Sequence, residues 1–237
     1  MCTVLLRHSP GGDVPLLLGA VRDEFVERPW DPPARHWDGA AAGLIGGRDQ
    51  QAGGTWLAVD PTRRAVAALL NAGRRDDPTD GRSRPTRGTL ALRILSTGDL
   101  PDDLEHYDRF HLLRADLDRA ELWSWDGEVL ANADVAPGDH IIVNAGLDTS
   151  SDPLVPHFAP LVAALSVQPD DWIGLMAGAG LDPGDERALI VAKEIEGRQY
   201  GSTSASLVAL SAGEVRYDFT ATPAHPSWWR VDTSSAA

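Results

Sequence analysis

The chain has 237 residues, of which 43% are hydrophobic and 24% charged, with a formal net charge of −14 and one cysteine. This length can bury a substantial core. The acidic balance argues against nucleic acid and anionic membrane surfaces as partners, and a lone cysteine excludes an intrachain disulfide.

Residues 2–8 predict a short strand, beginning with that cysteine, Cys2. Arg7 and His8 end the apolar run too soon for a secretory signal, and no 18-residue apolar stretch follows, so a cytoplasmic protein without a membrane span is expected. The stretch SPGGDVP is turn material, and 14–21 reads as a second strand, forming a hairpin with the first. Residues 22–38 carry charge, three prolines, Trp30 and Trp37, and read as a long ordered loop over one end of a sheet. GGRDQQAGGTW predicts a glycine-rich turn leading to a strand over 55–60, with another over 64–70. NAGRRDDPTDGRSRPTRG, rich in breakers, reads as a surface loop. A helix is expected over 90–96 and a second over 104–110. HLLRADL, AELWSWDGEVL and HIIVNAG follow, the middle one holding an Asp126-Gly127 hairpin signal. Two further helices are predicted over 158–166 and 170–177, then strands over 188–193, 202–210 and 215–220, and a frayed tail from about 231. Strands at both ends with helices between them predict a single α+β domain with largely antiparallel sheet.

Several stretches bear on chemistry. Removal of Met1 is favoured by a small second residue. It would place the α-amine of Cys2, with an ordinary pKa of about 7.7–8.0, beside its own thiol. The alternative reading of Cys2 is a small apolar residue opening a strand. Arg22, Asp23, Glu24 and Arg28 cluster just after an apolar strand. There an arginine can stabilise a thiolate and Asp23 can hold an ammonium, or the group simply pairs with itself in solvent. Asn71 and Asn144 each end an apolar run, where asparagine either donates to an oxyanion or forms a turn before glycine. The glycine-rich stretch matches no phosphate-binding signature, and the seven histidines show no ligand spacing. No metal or cofactor is expected.

Taken together and in order, MCTVLL, LLLGAVRDEFVERP, IGGRDQQAGGTWLAVD, AALLNAGRR, RPTRGTL, VNAGLDT and YGSTSAS resemble the NRDE family, also called the transport-and-Golgi-organisation family. The resemblance runs from Met1 to about Phe219. It implies kinship with N-terminal nucleophile hydrolases and hence a four-layer αββα sandwich of two mainly antiparallel sheets with helices outside. It also implies that Cys2 is the nucleophile of an amide (C–N) hydrolase, flanked by Arg22 and Asp23, with Asn71 and Asn144 as oxyanion donors. The family's links to lipid and haem handling imply a rival: a non-catalytic carrier of haem, acyl-CoA or another lipid on the same fold. The expected partner under either reading is a small molecule, acyl or haem-like. Two departures stand out. The first residue of the N-R-D-E signature is Val21 here, and the arginine of the family's YGTRS is Thr203, leaving Arg198 as a candidate substitute.

Overall fold

The computed structural model describes residues 2–73 and 84–234. Among these, the strands are β1 (Cys2–His8), β2 (Leu16–Phe25), β3 (Trp30–Ala34), β4 (Ile45–Asp49), β5 (Leu57–Asp60), β6 (Ala65–Asn71), β7 (Phe110–Ala115), β8 (Ala120–Trp125), β9 (Leu130–Asp134), β10 (Gly138–Val143), β11 (Gly146–Leu147), β12 (Ala192–Ile195), β13 (Arg198–Leu210), β14 (Val215–Thr220) and β15 (Trp229–Arg230). The helices are α1 (Gly88–Thr97), α2 (Leu154–Ala164) and α3 (Pro169–Met176). The fold is mixed α+β, with two sheets in which every strand pairing is antiparallel.

The first sheet runs β11-β10-β1-β2-β13-β14-β15, with β12 beside the start of β13; the second runs β3 to β9 in chain order. Alternation along the strands decides what each face meets. Val4, Leu6, Leu18 and Ala20 point at Val59, Val66 and Leu113 of the second sheet. Leu5, Leu17 and Val21 point the other way, onto Phe158 of α2 and Trp172 and Met176 of α3. The outer face of the second sheet, with Ala58, Ala67 and Leu112, is covered by Leu90, Ile94 and Leu95 of α1. Leu5, Leu6, Leu17 and Leu18 are 0% exposed, each such burial stabilising by about 1.5–3 kcal/mol. Strand β1 is therefore held from both sides, which fixes the position of Cys2 at its start.

The first hairpin forms as expected, with Cys2 opposite Arg22 and His8 opposite Leu16. The Asp126-Gly127 turn also forms: the Asp126 carboxylate accepts from the N–H groups of Glu128 and Val129, and Gly127 takes a φ of 100°. Three local readings need correction. Residues 22–38 are not one loop, since β2 continues through Phe25 and β3 spans Trp30–Ala34. Pro32 and Pro33 are tolerated there because β3 is an edge strand whose pairing with β4 is irregular. The helix expected over 104–110 is a single 3-10 turn, Leu104–His106, after which β7 begins. The strand expected over 188–193 starts only at Ala192. Most of the breaker-rich loop, 74–83, lies outside the described residues, as do 235–237 of the tail; Val231 is buried and donates its N–H to Tyr217. Among the described residues no helix is long and apolar enough to cross a membrane.

Candidate active site

A cleft of about 710 Å³ opens at the end of the two sheets where β1 starts. Cys2, Arg22, Asp23 and Asn71 line it, together with Arg28, Asp49, Trp56 and the segment that enters α1. The close approach of Gly54 to Gly88 shapes the rim. A Cβ on Gly54 would lie 2.4 Å from the Gly88 carbonyl carbon, so only glycine lets the start of α1 settle against the turn after β4.

Cys2 is partly exposed. Its backbone N–H donates to Asn144 Oδ1 at 3.0 Å, and Asn144 Nδ2 donates to the carbonyl of Asn71. One partner is an N–H and the other a carbonyl, so the orientation of the Asn144 amide is unambiguous. Asn144 thus ties the start of β1 to the end of β6, one strand in each sheet. It meets Cys2 through an acceptor oxygen, whereas the Asn71 side chain lines the cleft and makes no hydrogen bond to another described residue.

Arg22 and Asp23 are both buried, but alternation sends them to opposite faces. Arg22 follows Ala20 toward the second sheet. Its guanidinium lies 4.5 Å from the centre of the Trp56 ring, donates to Thr203 Oγ1 at 2.8 Å and stands 3.6 Å from Asp49 Oδ2. Asp49 is itself held by Arg28 at 2.5 Å and by the N–H groups of Gln51 and Ala52. Asp23 points the other way and accepts from the Ser202 hydroxyl at 2.6 Å, while its carbonyl accepts from Tyr200. The register of β13 against β2 slips between Ser202 and Ser204, and this bulge aims Thr203 at Arg22. Arg198 does not take the place of an arginine at 203. It lies six residues before Ser204, about 20 Å along the strand, stacks 3.8 Å from the Phe25 ring and pairs with Glu27.

Burial pushes the Cys2 thiol above its ordinary value; the Asp23 charge adds to this, while the Arg22 charge and the Asp23 N–H oppose it. Burial also raises the Asp23 carboxyl from 3.8 to about 7, against the pull of Ser202 and Arg22. The consequence is a pH-dependent cost. Between pH 3.8 and about 7 the unfolded chain has released this proton and the folded chain retains it, so stability falls as pH rises through that window. Asp23→Asn keeps the acceptor for Ser202 and removes the charge. It is expected to match the parent near pH 4 and to exceed it at pH 8 by up to about 4 kcal/mol. Urea unfolding midpoints at the two pH values measure this, and parallel curves for the two proteins would refute it.

Sequence reasoning brought Cys2, Arg22, Asp23 and Asn71 to one cleft, with Asn144 bonded at its edge. It did not single out Asp49 or Trp56, and it marked Thr203 only as the place of a missing arginine. Asp49 and Trp56 stand in the conspicuous GGRDQQAGGTW stretch, but only the facing of the two sheets brings them to Arg22. Among the described residues no group of three or more His, Cys, Asp or Glu is placed to hold a metal ion. A family model described as Transport and Golgi organisation 2 matches residues 1–162, a span that includes all five of these residues and ends before β12. No curated protein matches the chain.

Proposed function

We propose, from the premise that the chain belongs to the transport and Golgi organisation 2 family, that it is an N-terminal cysteine nucleophile hydrolase of a small-molecule amide. The observation that carries this reading is the hydrogen bond from the Cys2 nitrogen to Asn144 at the mouth of a cleft that Cys2 also lines. In the reading, the two facing sheets with helices on their outer faces are the αββα layers of that superfamily.

Removal of Met1 turns the Cys2 nitrogen into an α-amine. With one N–H directed to Asn144, its lone pair is left to take the thiol proton, directly or through a water. The thiolate then attacks the acyl carbon, and the Asn71 side chain donates to the oxyanion that forms. We assign Asn144 to holding the amine, because its oxygen is the atom that meets Cys2. The amine next gives its proton to the leaving nitrogen, the C–N bond breaks, and an acyl thioester remains. Water hydrolyses the thioester, releasing the acid and restoring the thiol. Arg22, fixed by Trp56, Thr203 and Asp49, stabilises the thiolate. Asp23 holds charge near the new amine.

One observation favours the carrier instead: burial holds the Cys2 thiol protonated in the chain that retains Met1. Intact-mass analysis combined with iodoacetamide labelling across pH separates the two. The hydrolase is expected to have lost Met1, and its Cys2 to react faster at neutral pH than a free thiol of pKa about 8.5. A retained Met1 with slow labelling would leave the carrier.

A further inference from the structure

A sheet edge presents unpaired backbone groups, and proteins ordinarily blunt it with prolines, bulges, charges or brevity. Strand β3 carries Pro32 and Pro33 and pairs irregularly with β4. Strands β11 and β15 have two residues each, and β12 places Lys193 and Glu194 on a strand of four. Among the described residues β9 is the exception. It closes the second sheet, all five residues of Leu130–Asp134 are exposed, none is proline, and its register against β8 is unbroken. Val129 and Leu130, where the strand begins, are 63% and 37% exposed.

The hydrogen-bonding pattern identifies the open groups. Val129 accepts from the Asp126 N–H, and Val135 donates to the carbonyl of Ala120. With the register of β9 on β8, the alternation of an antiparallel ladder directs the backbone groups of Val129, Ala131, Ala133 and Val135 toward β8. It turns those of Leu130, Asn132 and Asp134 outward. Among the described residues no strand pairs with that side.

We propose that this edge pairs with the same edge of a second copy of the chain, antiparallel about a two-fold axis at Asn132, so that the second sheets of two molecules join into one. In this register Asn132 faces itself and Leu130 faces Asp134, so each outward N–H meets an outward carbonyl of the other copy. On the face shared with Leu122, between the sheets, Val129 meets Val135 and Ala131 meets Ala133, apolar against apolar throughout. Asp134, the strand's one carboxylate, is held by Arg119 at 2.7 Å and faces leucine. Neighbouring registers are poorer. An axis at Ala131 sets Glu128 opposite Asp134, like charge against like. An axis at Ala133 sets Leu130 opposite Ala136, whose carbonyl already accepts from His140. The inference is independent of any chemistry at Cys2.

Sedimentation velocity over a concentration series tests the pairing. A contact made by one strand edge is small, so a dimer with a Kd of about 1–100 μM is expected. Asn132→Pro removes an outward N–H and leaves the ladder to β8 intact. It should weaken the dimer at least about tenfold, with the urea midpoint of the monomer unchanged. Register is read by oxidative cross-linking in the Cys2→Ala background. Asn132→Cys places two thiols on the axis, with Cα atoms about 5.5 Å apart and within reach of a disulfide. Asp134→Cys places them at least about 13 Å apart, so only the first should cross-link. A protein that stays monomeric at about 300 μM, assemblies larger than a dimer, a folded Asn132→Pro variant that dimerises like the parent, or equal cross-linking at 132 and 134 overturns the proposal. If Asn132→Pro fails to fold, the cross-linking contrast decides.

Discussion

Cys2→Ala is expected to lower hydrolysis of a short acyl p-nitroanilide by at least about 10⁴-fold, because the sulfur is the only nucleophile the proposed mechanism uses. Alanine is also small, so removal of Met1 should proceed in the variant as in the parent. An intact mass showing this would separate loss of chemistry from loss of processing. Asn71→Ala should cost less, about 10²–10³-fold, since it deletes one oxyanion donor and leaves the nucleophile in place. The difference in size separates a bond-making group from a stabilising one. Turnover by Cys2→Ala equal to that of the parent would end the nucleophile assignment. Activity unaffected by Asn71→Ala while Cys2→Ala is dead would move the oxyanion site to other donors.

Arg7→Ala is expected to destabilise the fold by about 3–5 kcal/mol, the cost of breaking a buried charge pair from one side. Arg7 is 8% exposed. On β1 it shares a face with Leu5 and lies beneath α2 and α3, where its guanidinium holds Asp139 through two bonds of 2.6 and 2.9 Å. The same group donates to the carbonyls of Val162, Leu165 and Ser166, which close the end of α2, and lies 5.6 Å from the Trp172 ring. Alanine there takes the arginine donor from the Asp139 carboxylate and the Leu165 carbonyl and leaves a gap beside Trp172, while the Val162 and Ser166 carbonyls keep the Leu165 N–H and the Trp172 indole. Arg63→Ala, at a pair whose arginine side chain is 63% exposed, should change stability by no more than about 0.5 kcal/mol. Urea midpoints with unchanged slope measure both. A loss below about 1 kcal/mol at Arg7 would show that α2 is held by its apolar face alone.

Arg7 also shows where local reading stops. In sequence it marks the end of an apolar run; in the fold it is a buried anchor, because the partners that make its burial tolerable lie more than 130 residues away. Asn144 is a similar case. As an asparagine before alanine and glycine it reads as an oxyanion donor or a turn residue, and only the approach of β1 to β6 shows that its oxygen serves Cys2 and its nitrogen serves Asn71. The adjacent Arg22 and Asp23 read as one cluster, yet the pleat divides them between the two faces of the sheet. The prolines of β3 concealed a strand because local signals do not reveal whether a strand will lie at a sheet edge, where a missing donor costs nothing.

The amino-acid sequence by itself determined the α+β class, the first and the Asp126-Gly127 hairpins, and the approximate places of all three helices. These follow from period and turn chemistry, which act between residues close in the chain. Only the tertiary structure decided which sheet each strand joined and that Thr203 and Asp49 fix Arg22. Those features depend on pairings between distant strands, and such pairings are set by the packing of whole faces rather than by any segment alone.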